Sequence, residues 1–450
     1  LTREIDCRIF KPSAKKAVNH SETNTEPREI YQAVEHLFRH EAGKMVATLT
    51  RIFGFEHLAL AEDVVQEALM RALQTWPFYG MPQNPSAWLM RTARNFALDV
   101  VRREKVFRGK EPEIVRLIAA ADSGTGSPIV SEHEITDDGL RMMFVCCHPI
   151  IPQEVQVALA LKTLCGFSIT EIARAFLTTD AAIAKRLTRA KQKISEAAIP
   201  FEIPAGAELT RRLDSVLQAL YLLFNEGYKA SGGDKLVREE ICDEAIRLAA
   251  LLVKHPSGGQ PKTHALLALM LLNAARNPAR VDDDGNLLRL RDQDRSRWRP
   301  SLIARGMFHI SQSAAGGEIS EYHLQAGIAA CHCLAPDYDS TDWAKILALY
   351  DRLLALDGSP VVALNRAVAV AHVHGPETAI DAVQAIKDQE SLKSYYLFYA
   401  VLGEFELQLN RRPAAAACFH KALKLSCLDS EREFLSRRLR ECEPVAELVS

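Results

Sequence analysis

The chain is 450 residues long, 48% hydrophobic and 25% charged, with a formal net charge of −2. Those values fit two or three ordinary globular domains and exclude a globally basic nucleic-acid binder, so any DNA-binding charge must be local. The ten cysteines form no paired framework, no signal-peptide pattern opens the chain, and no apolar run approaches the ~20 residues of a membrane span, which together fit a reduced cytoplasmic protein with no membrane role.

Residues 1–27 are polar, begin on Leu1 and lack periodicity, so they are expected to be disordered. A helix is expected from Ile30 to Phe53, ended by Gly54, and a second from Leu60 to Trp76. Within the second, Val64, Ala68 and Ala72 face inward, leaving Asp63, Gln66, Glu67 and Arg71 as a polar surface suited to a protein partner or to water. Three prolines and a glycine make Pro77–Pro85 a loop. Ser86 then leads into a third helix lasting to about Phe107. Leu89, Thr92, Ala93, Phe96 and Val100 form its buried face, and Arg91, Arg94, Asn95, Arg102 and Arg103 line another. Phe78, Tyr79 and Trp88 stand beside these cations. Rings that stack on exposed bases and cations that follow phosphates would make a single-strand surface; solvated arginines around core tryptophans fit equally well.

Residues 109–136 read as a linker, small and polar at Asp122–Pro128. A second helical unit spans 137–198. Near its end, Ile169, Ile172, Ala173 and Phe176 mark one amphipathic helix, and Ile183, Leu187, Ala190 and Ile194 mark another. Thr179 is placed to cap the second helix, and Asp180 suits its positive end. Opposite the apolar stripe lie Lys185, Arg186, Arg189, Lys191 and Lys193. The pattern fits a helix-turn-helix whose second helix enters a major groove, or a helical hairpin with a solvated basic face.

From residue 199 to 450 the chain is helical again, with prolines between segments or at their starts and almost no strand-like alternation. Val361–Val383 and Tyr395–Leu423 look like cousins. Each is a helix, a turn and a helix with small residues at the crossing, close to the ~34-residue tetratricopeptide period. The fold class is therefore all-α: two small helical domains, the second with a helix-turn-helix, and a tetratricopeptide-like array.

Ala61–Ala68, Asn84–Asp99 and the helix-turn-helix together resemble an extracytoplasmic-function sigma factor of bacterial RNA polymerase. Leu140–Pro149, Tyr221–Tyr228 and Asp292–Trp298 are similar to the sigma-factor group with a long tetratricopeptide-like C-terminal extension, so the resemblance spans residues 30–440. It implies a sigma region 2 domain over 28–108, a region 4 domain over 137–198, and a bacterial cytoplasmic protein that catalyses nothing and needs no cofactor. Asp63, Gln66 and Glu67 would dock on the β′ clamp helices of core polymerase, with the β flap as a further contact. Phe78, Tyr79, Trp88, Arg91, Arg94, Asn95, Arg102 and Arg103 would recognise and open the minus-ten element of promoter DNA. Lys185, Arg186, Arg189 and Lys193 would bind the minus-thirty-five element, while the linker threads toward the active-site channel. Ala181 and Ala182 donate no side-chain hydrogen bonds, which leaves base reading near that helix start to Lys185, Arg186, methyl contacts or DNA shape.

Several other clusters carry less. Cys146–Cys147–His148 and Cys331–His332–Cys333 lack the four spaced ligands of a structural zinc site and read as buried thiols. Asp282–Asn286 lacks alternating calcium ligands and reads as a solvated turn. Asp292, Asp294, Arg295 and Trp298 read as an interdomain latch in preference to an unrecognised site. The 199–450 array is expected to pack on the first two domains and regulate them in cis, with 292–298 near the contact, Asp282–Asp284 and Asp292–Asp294 available to the basic helix, and a groove open to a protein or peptide. The rival reading is a stand-alone helix-turn-helix regulator with a sensing domain. It needs neither the Trp88–Arg103 helix nor the Asp63–Glu67 surface. An enzyme in the array has no residue set behind it.

Overall fold

A computed structural model describes residues 41–103, 138–176, 178–228, 238–282, 286–387, 389–426 and 429–442. The expectations for residues 1–40, for the 109–136 linker and for Asp283 and Asp284 lie outside these. The described residues are helical, with a single isolated bridge, Val281 to Leu287, in place of any strand. None of their helices is long and apolar enough to cross a membrane.

The first unit comprises α1 over 41–53, α2 (Leu58–Tyr79) and α3 (Pro85–Arg103). Gly54 stops α1 in the left-handed region, at φ 89°, where a side chain would be strained. Helix α2 departs from expectation. It runs through Pro77 to Tyr79 and ends at Gly80, whose φ is 78°. A proline forfeits one helical hydrogen bond, but this one sits in the last turn, where buried Trp76 one residue before it anchors the helix. Helix α3 begins one residue earlier than expected. Pro85 takes the first helical position, and the Asn84 side chain accepts from the Ala87 amide at 3.0 Å.

The second unit comprises α4 (Asp138–Cys146), α5 (Gln153–Cys165), α6 (Ile169–Ala175) and α7 (Asp180–Glu196). Gly166, left-handed at φ 65°, closes α5. Ser168 and Glu171 exchange reciprocal caps at the start of α6, at 3.1 and 2.8 Å. Thr179 caps α7 through the Ala182 amide at 3.3 Å, and Ile183, Leu187, Ala190 and Ile194 are its buried stripe.

The C-terminal part begins with α8 (Gly206–Tyr228), α9 (Glu239–Lys254), α10 (Pro261–Ala274) and α11 (Pro300–Ser313). It continues through α12 (Glu321–Leu334), α13 (Trp343–Leu356), α14 (Pro360–His374), α15 (Pro376–Gln384), α16 (Tyr396–Gln408), α17 (Arg412–Leu425) and α18 (Asp429–Arg440). From α12 onward each helix packs on the next, which is the nearest-neighbour logic of a solenoid. The small-residue crossing is real. A side chain at Gly403 on α16 would meet the Phe419 ring of α17 at 2.8 Å. One continuous apolar core runs from Ala42 in the first unit, through the second, to Ala330 in α12, and two smaller cores fill the rest of the array.

Candidate nucleic-acid and polymerase interfaces

On α7 the burial of Ile183, Leu187, Ala190 and Ile194 turns the opposite side outward. Lys185, Arg186, Arg189 and Lys193 are all exposed there, so one helix face carries four cations. Among the described residues, Arg186 alone of the four has a nearby carboxylate, Glu154 at 3.6 Å, and both partners are well solvated, so the pair holds it weakly. Thr170 at the start of α6 hydrogen-bonds Asp180, which fixes the turn angle between the two helices.

On α2 the core takes Val64, Val65, Ala68, Leu69 and Ala72. Asp63, Gln66 and Glu67 stand exposed on the other side, one turn apart. Met70, 52% exposed, extends the same row by another turn. Sequence reasoning passed over Met70 because a methionine in an apolar stretch reads as core. Its i+3 relation to Glu67 was the available signal.

Phe78 and Tyr79 project at the end of α2, 82% and 85% exposed. Arg91, Asn95, Arg102 and Arg103 are exposed along α3. Two residues expected on this surface sit elsewhere. Arg94 is buried, because its helical position falls beside Ala93 and Ala97 on the core side of α3. Trp88 is half-buried and packs edge-to-face on Trp76 with ring centres 5.4 Å apart, so it anchors the α2–α3 crossing and offers little free ring face.

The Asp292–Trp298 segment, expected between domains, makes its contacts within the C-terminal part. Arg295 donates to the carbonyls of His332 and Ala335 at the end of α12, at 2.6 and 2.7 Å. Its guanidinium and that of Arg276 lie over the buried Trp298 ring, at 4.6 and 5.6 Å. Arg289 pairs with Asp292 at 2.7 Å and reaches Glu404 of α16 at 3.6 Å. Asp294 caps its own 3-10 turn through the Ser296 amide. These contacts join the start of the C-terminal part to the array. The expected position against the first two units is filled by other residues. Asp282 is likewise turned inward on its own loop, accepting from the Asn286 amide at 2.7 Å.

Those other residues are on α8 and at the start of α9. The buried Arg238 guanidinium bridges Glu226 of α8, at 3.1 Å, and Glu171 of α6, at 3.3 Å. Arg212 donates to the Phe144 carbonyl at 3.3 Å, and Gln153 to Gln218 at 2.6 Å. Gly227 lets α8 approach α9 closely, since a side chain there would meet the Cys242 amide nitrogen at 2.7 Å. Glu226 and Gly227 lie inside the Tyr221–Tyr228 motif, and the contact residues were not separable there from helix surface.

Among the described residues no group of three or more metal-capable side chains comes together. Burial pushes the Cys146 thiol up to about 12 and the Cys333 thiol up to about 11, so neither is a ready thiolate.

Comparison with known proteins assigns the units. The Sigma-70 region 2 model matches residues 37–106, the Sigma-70 region 4 model residues 141–194, and a Family of unknown function (DUF6596) residues 212–314. An uncharacterized protein of Rhizobium meliloti (strain 1021) is 39% identical over 387 residues, which is 86% of this chain and 90% of the relative. No solved structure matches. With region 2 folded as α1–α3 and region 4 as the helix-turn-helix unit, the chain belongs to the sigma-70 family, as an extracytoplasmic-function-like sigma factor for promoter recognition that carries a helical C-terminal extension.

Proposed function

We propose that the protein delivers RNA polymerase core to its promoters through three surfaces, and that its C-terminal part controls them in cis. The Asp63–Gln66–Glu67 row, with Met70, docks on the β′ clamp helices. An acidic and amide row around one apolar side chain suits a protein partner, with Met70 as its apolar anchor. Arg91, Asn95, Arg102 and Arg103 follow the backbone of the opened minus-ten strand, while Phe78 and Tyr79 offer ring faces to unstacked bases. The four α7 cations take the minus-thirty-five duplex. Phosphate contacts there set position, and Arg186, nearest the helix start with Lys185, reads base edges.

The observation that carries this reading is the simultaneous exposure of the α2 row and the α7 cations on helices whose other faces are core. The Arg238 bridge and the packing of α5 on α8 support control in cis, because they tie region 4 to the C-terminal part. The test is capture of purified core polymerase by the wild type and by an Asp63→Lys/Glu67→Lys variant with an unchanged circular dichroism spectrum. We expect affinity to fall by about tenfold or more, since reversing close interfacial charges costs at least ~1.4 kcal/mol, and promoter-dependent transcription to fall with it. Equal affinity would remove α2 from the docking role.

A further inference from the structure

Three arginines in the C-terminal part gather without carboxylates. Arg280, 7% exposed, donates to the Tyr228 carbonyl and lies over the Tyr228 ring at 3.6 Å. Arg276, just past α10, and Arg295, in the 3-10 turn before Trp298, are half-buried and lie over the Trp298 ring at 5.6 and 4.6 Å. Among the described residues none of the three has a carboxylate at ion-pair distance. Other buried arginines of this chain do: Arg212 has Glu208 at 2.7 Å, Arg238 has Glu226 at 3.1 Å, and Arg438 has Glu404 at 2.7 Å. Asp337 acts on Arg295 only weakly, and its carboxylate is engaged by Ser340.

Like charges held together and partly out of water work against the fold. Burial, then the charge of Arg276, hold the Arg295 guanidinium below its usual range. Burial foremost, with Arg276 adding to it, does the same to Arg280, so Arg276 acts on both. Donors are left over as well. Arg295 spends Nη1 on the carbonyls of His332 and Ala335, while its Nη2 is buried without a partner. Arg276 Nε, Trp298 Nε1 and His332 Nδ1 are in the same condition. His332 adds no charge, since burial, then Arg276, Arg295 and His372 lower it to about 3. Buried donors without acceptors are rare in folded proteins, and a group of them that also carries surplus positive charge is suited to an anion. Arg276 and Arg295 each keep part of their surface in solvent, so an ion can reach them.

We propose that Arg276 and Arg295, on either hand of the Trp298 indole, bind a phosphate group, either free phosphate or the end of a small phosphate monoester. Two fixed cations match the charge of a dianion, and guanidinium edges pair with phosphate oxygens by two parallel hydrogen bonds. Donors arriving from separate elements suit a tetrahedral group with several acceptor oxygens better than a planar carboxylate. Arg276, Arg280, Arg295 and Trp298 all fall within residues 212–314, the segment matched by the family of unknown function, so the site gives that segment a ligand. Its effect follows from what Arg295 already holds. Arg276 closes α10 and Arg295 grips the end of α12, so one phosphate shared by them ties α10 to the point where α13–α18 begin. The site uses none of the surfaces assigned to polymerase or promoter DNA, and it stands whether or not those assignments do.

The test uses the full chain, prepared free of phosphate and sulfate, with the variants Arg276→Gln and Arg295→Lys. Calorimetric titration and thermal melting are run with inorganic phosphate, adenosine monophosphate and acetate, at one ionic strength set by chloride. Phosphate, the monophosphate or both should bind the wild type and raise its melting temperature, because a ligand that binds only the folded state stabilises it. Acetate should do neither. Each variant should bind the phosphate probes at least about tenfold more weakly, Arg295→Lys because it keeps the charge but loses the guanidinium fork. Without phosphate, Arg276→Gln should melt above the wild type, since a repelling charge has gone. Tighter binding of the monophosphate makes the ligand a phosphate monoester, and equal or tighter binding of inorganic phosphate makes it the free ion; either result keeps the proposal. No binding of either phosphate probe overturns it, as does acetate binding equally well. Unchanged phosphate affinity in both variants also overturns it, and an Arg276→Gln protein that then melts below the wild type assigns Arg276 to packing.

Discussion

Arg238 shows what a single residue contributes to this architecture. Its guanidinium is buried between two carboxylates on different structural units, Glu226 buried and Glu171 mostly enclosed. Replacing it by alanine leaves Glu171 and Glu226 facing each other without the cation, and breaking a buried pair by removing one partner costs about 3–5 kcal/mol. Arg238→Ala should therefore lower the urea midpoint of the whole chain strongly, whereas Arg299→Ala, which removes a half-exposed pair with Glu239, should barely move it. Equal, small effects would mean region 4 is not held through this residue. The arginines proposed to meet DNA should behave differently. Arg186→Ala should lose about 1–3 kcal/mol on cognate duplex and less on scrambled duplex, while Arg189→Ala weakens both alike, measured at fixed salt. Parallel losses for Arg186 would reassign it to phosphate. At this scale the exposed cations of α7 were legible from spacing alone. Arg94 was not, because on a helix with arginines at 91, 94, 102 and 103 the one that falls on the core side is distinguished only by the burial of Ala93 and Ala97.

Helices were legible where capping chemistry and periodicity agree, as at Thr179 and at the prolines that open α11, α14 and α15. They were misread at Pro77, where a breaker sits in a last turn that tertiary packing keeps helical. Pairings between helices are a further step that periodicity does not reach. Helices α10 and α11 bring His264 and His309 together with their Nδ1 atoms 2.9 Å apart, a contact that needs one ring to donate and the other to accept. Both rings cannot be protonated there. Burial, then His264 and Arg305, hold His309 down to about 4 from its ordinary 6.5, and burial lowers His264 as well. The unfolded chain takes up a proton below about 6.5 that the folded pair refuses. Stability is therefore complete above that pH and is lost as pH falls from 6.5 toward 4. His309→Asn should flatten this part of the stability profile in urea melts between pH 4 and 8, and an unaltered profile would place the acid sensitivity elsewhere.

The whole molecule divides differently from its sequence. The linker and the prolines near 200 suggest that region 4 ends where a shorter factor would, with the array appended. The core says otherwise: Val155, Leu159 and Ile194 of region 4 belong to the same buried cluster as Leu213, Leu217 and Phe224 of α8 and Ala326 of α12. A pattern of apolar residues shows that a helix buries a face without showing which helix covers it, so this continuity was not readable beforehand. It changes how control in cis should be tested. Ending the chain after Pro200 would strip α8 from α5, expose that apolar face and leave Glu171 without Arg238. Ending it after Pro336 would keep α8 through α12, the Arg238 triad and the Arg295 contacts with α12, and would remove the rest of the array, uncovering Ile328 and Cys331 on α12. We expect the 336-ended protein to melt cooperatively and to bind little hydrophobic dye, and the 200-ended protein to bind more dye and melt broadly. Promoter-dependent transcription by the 336-ended form then reads the contribution of α13–α18 without the confusion of a damaged region 4. A 200-ended chain as cooperative as the longer one would show that region 4 stands alone and that α8 is a removable cover.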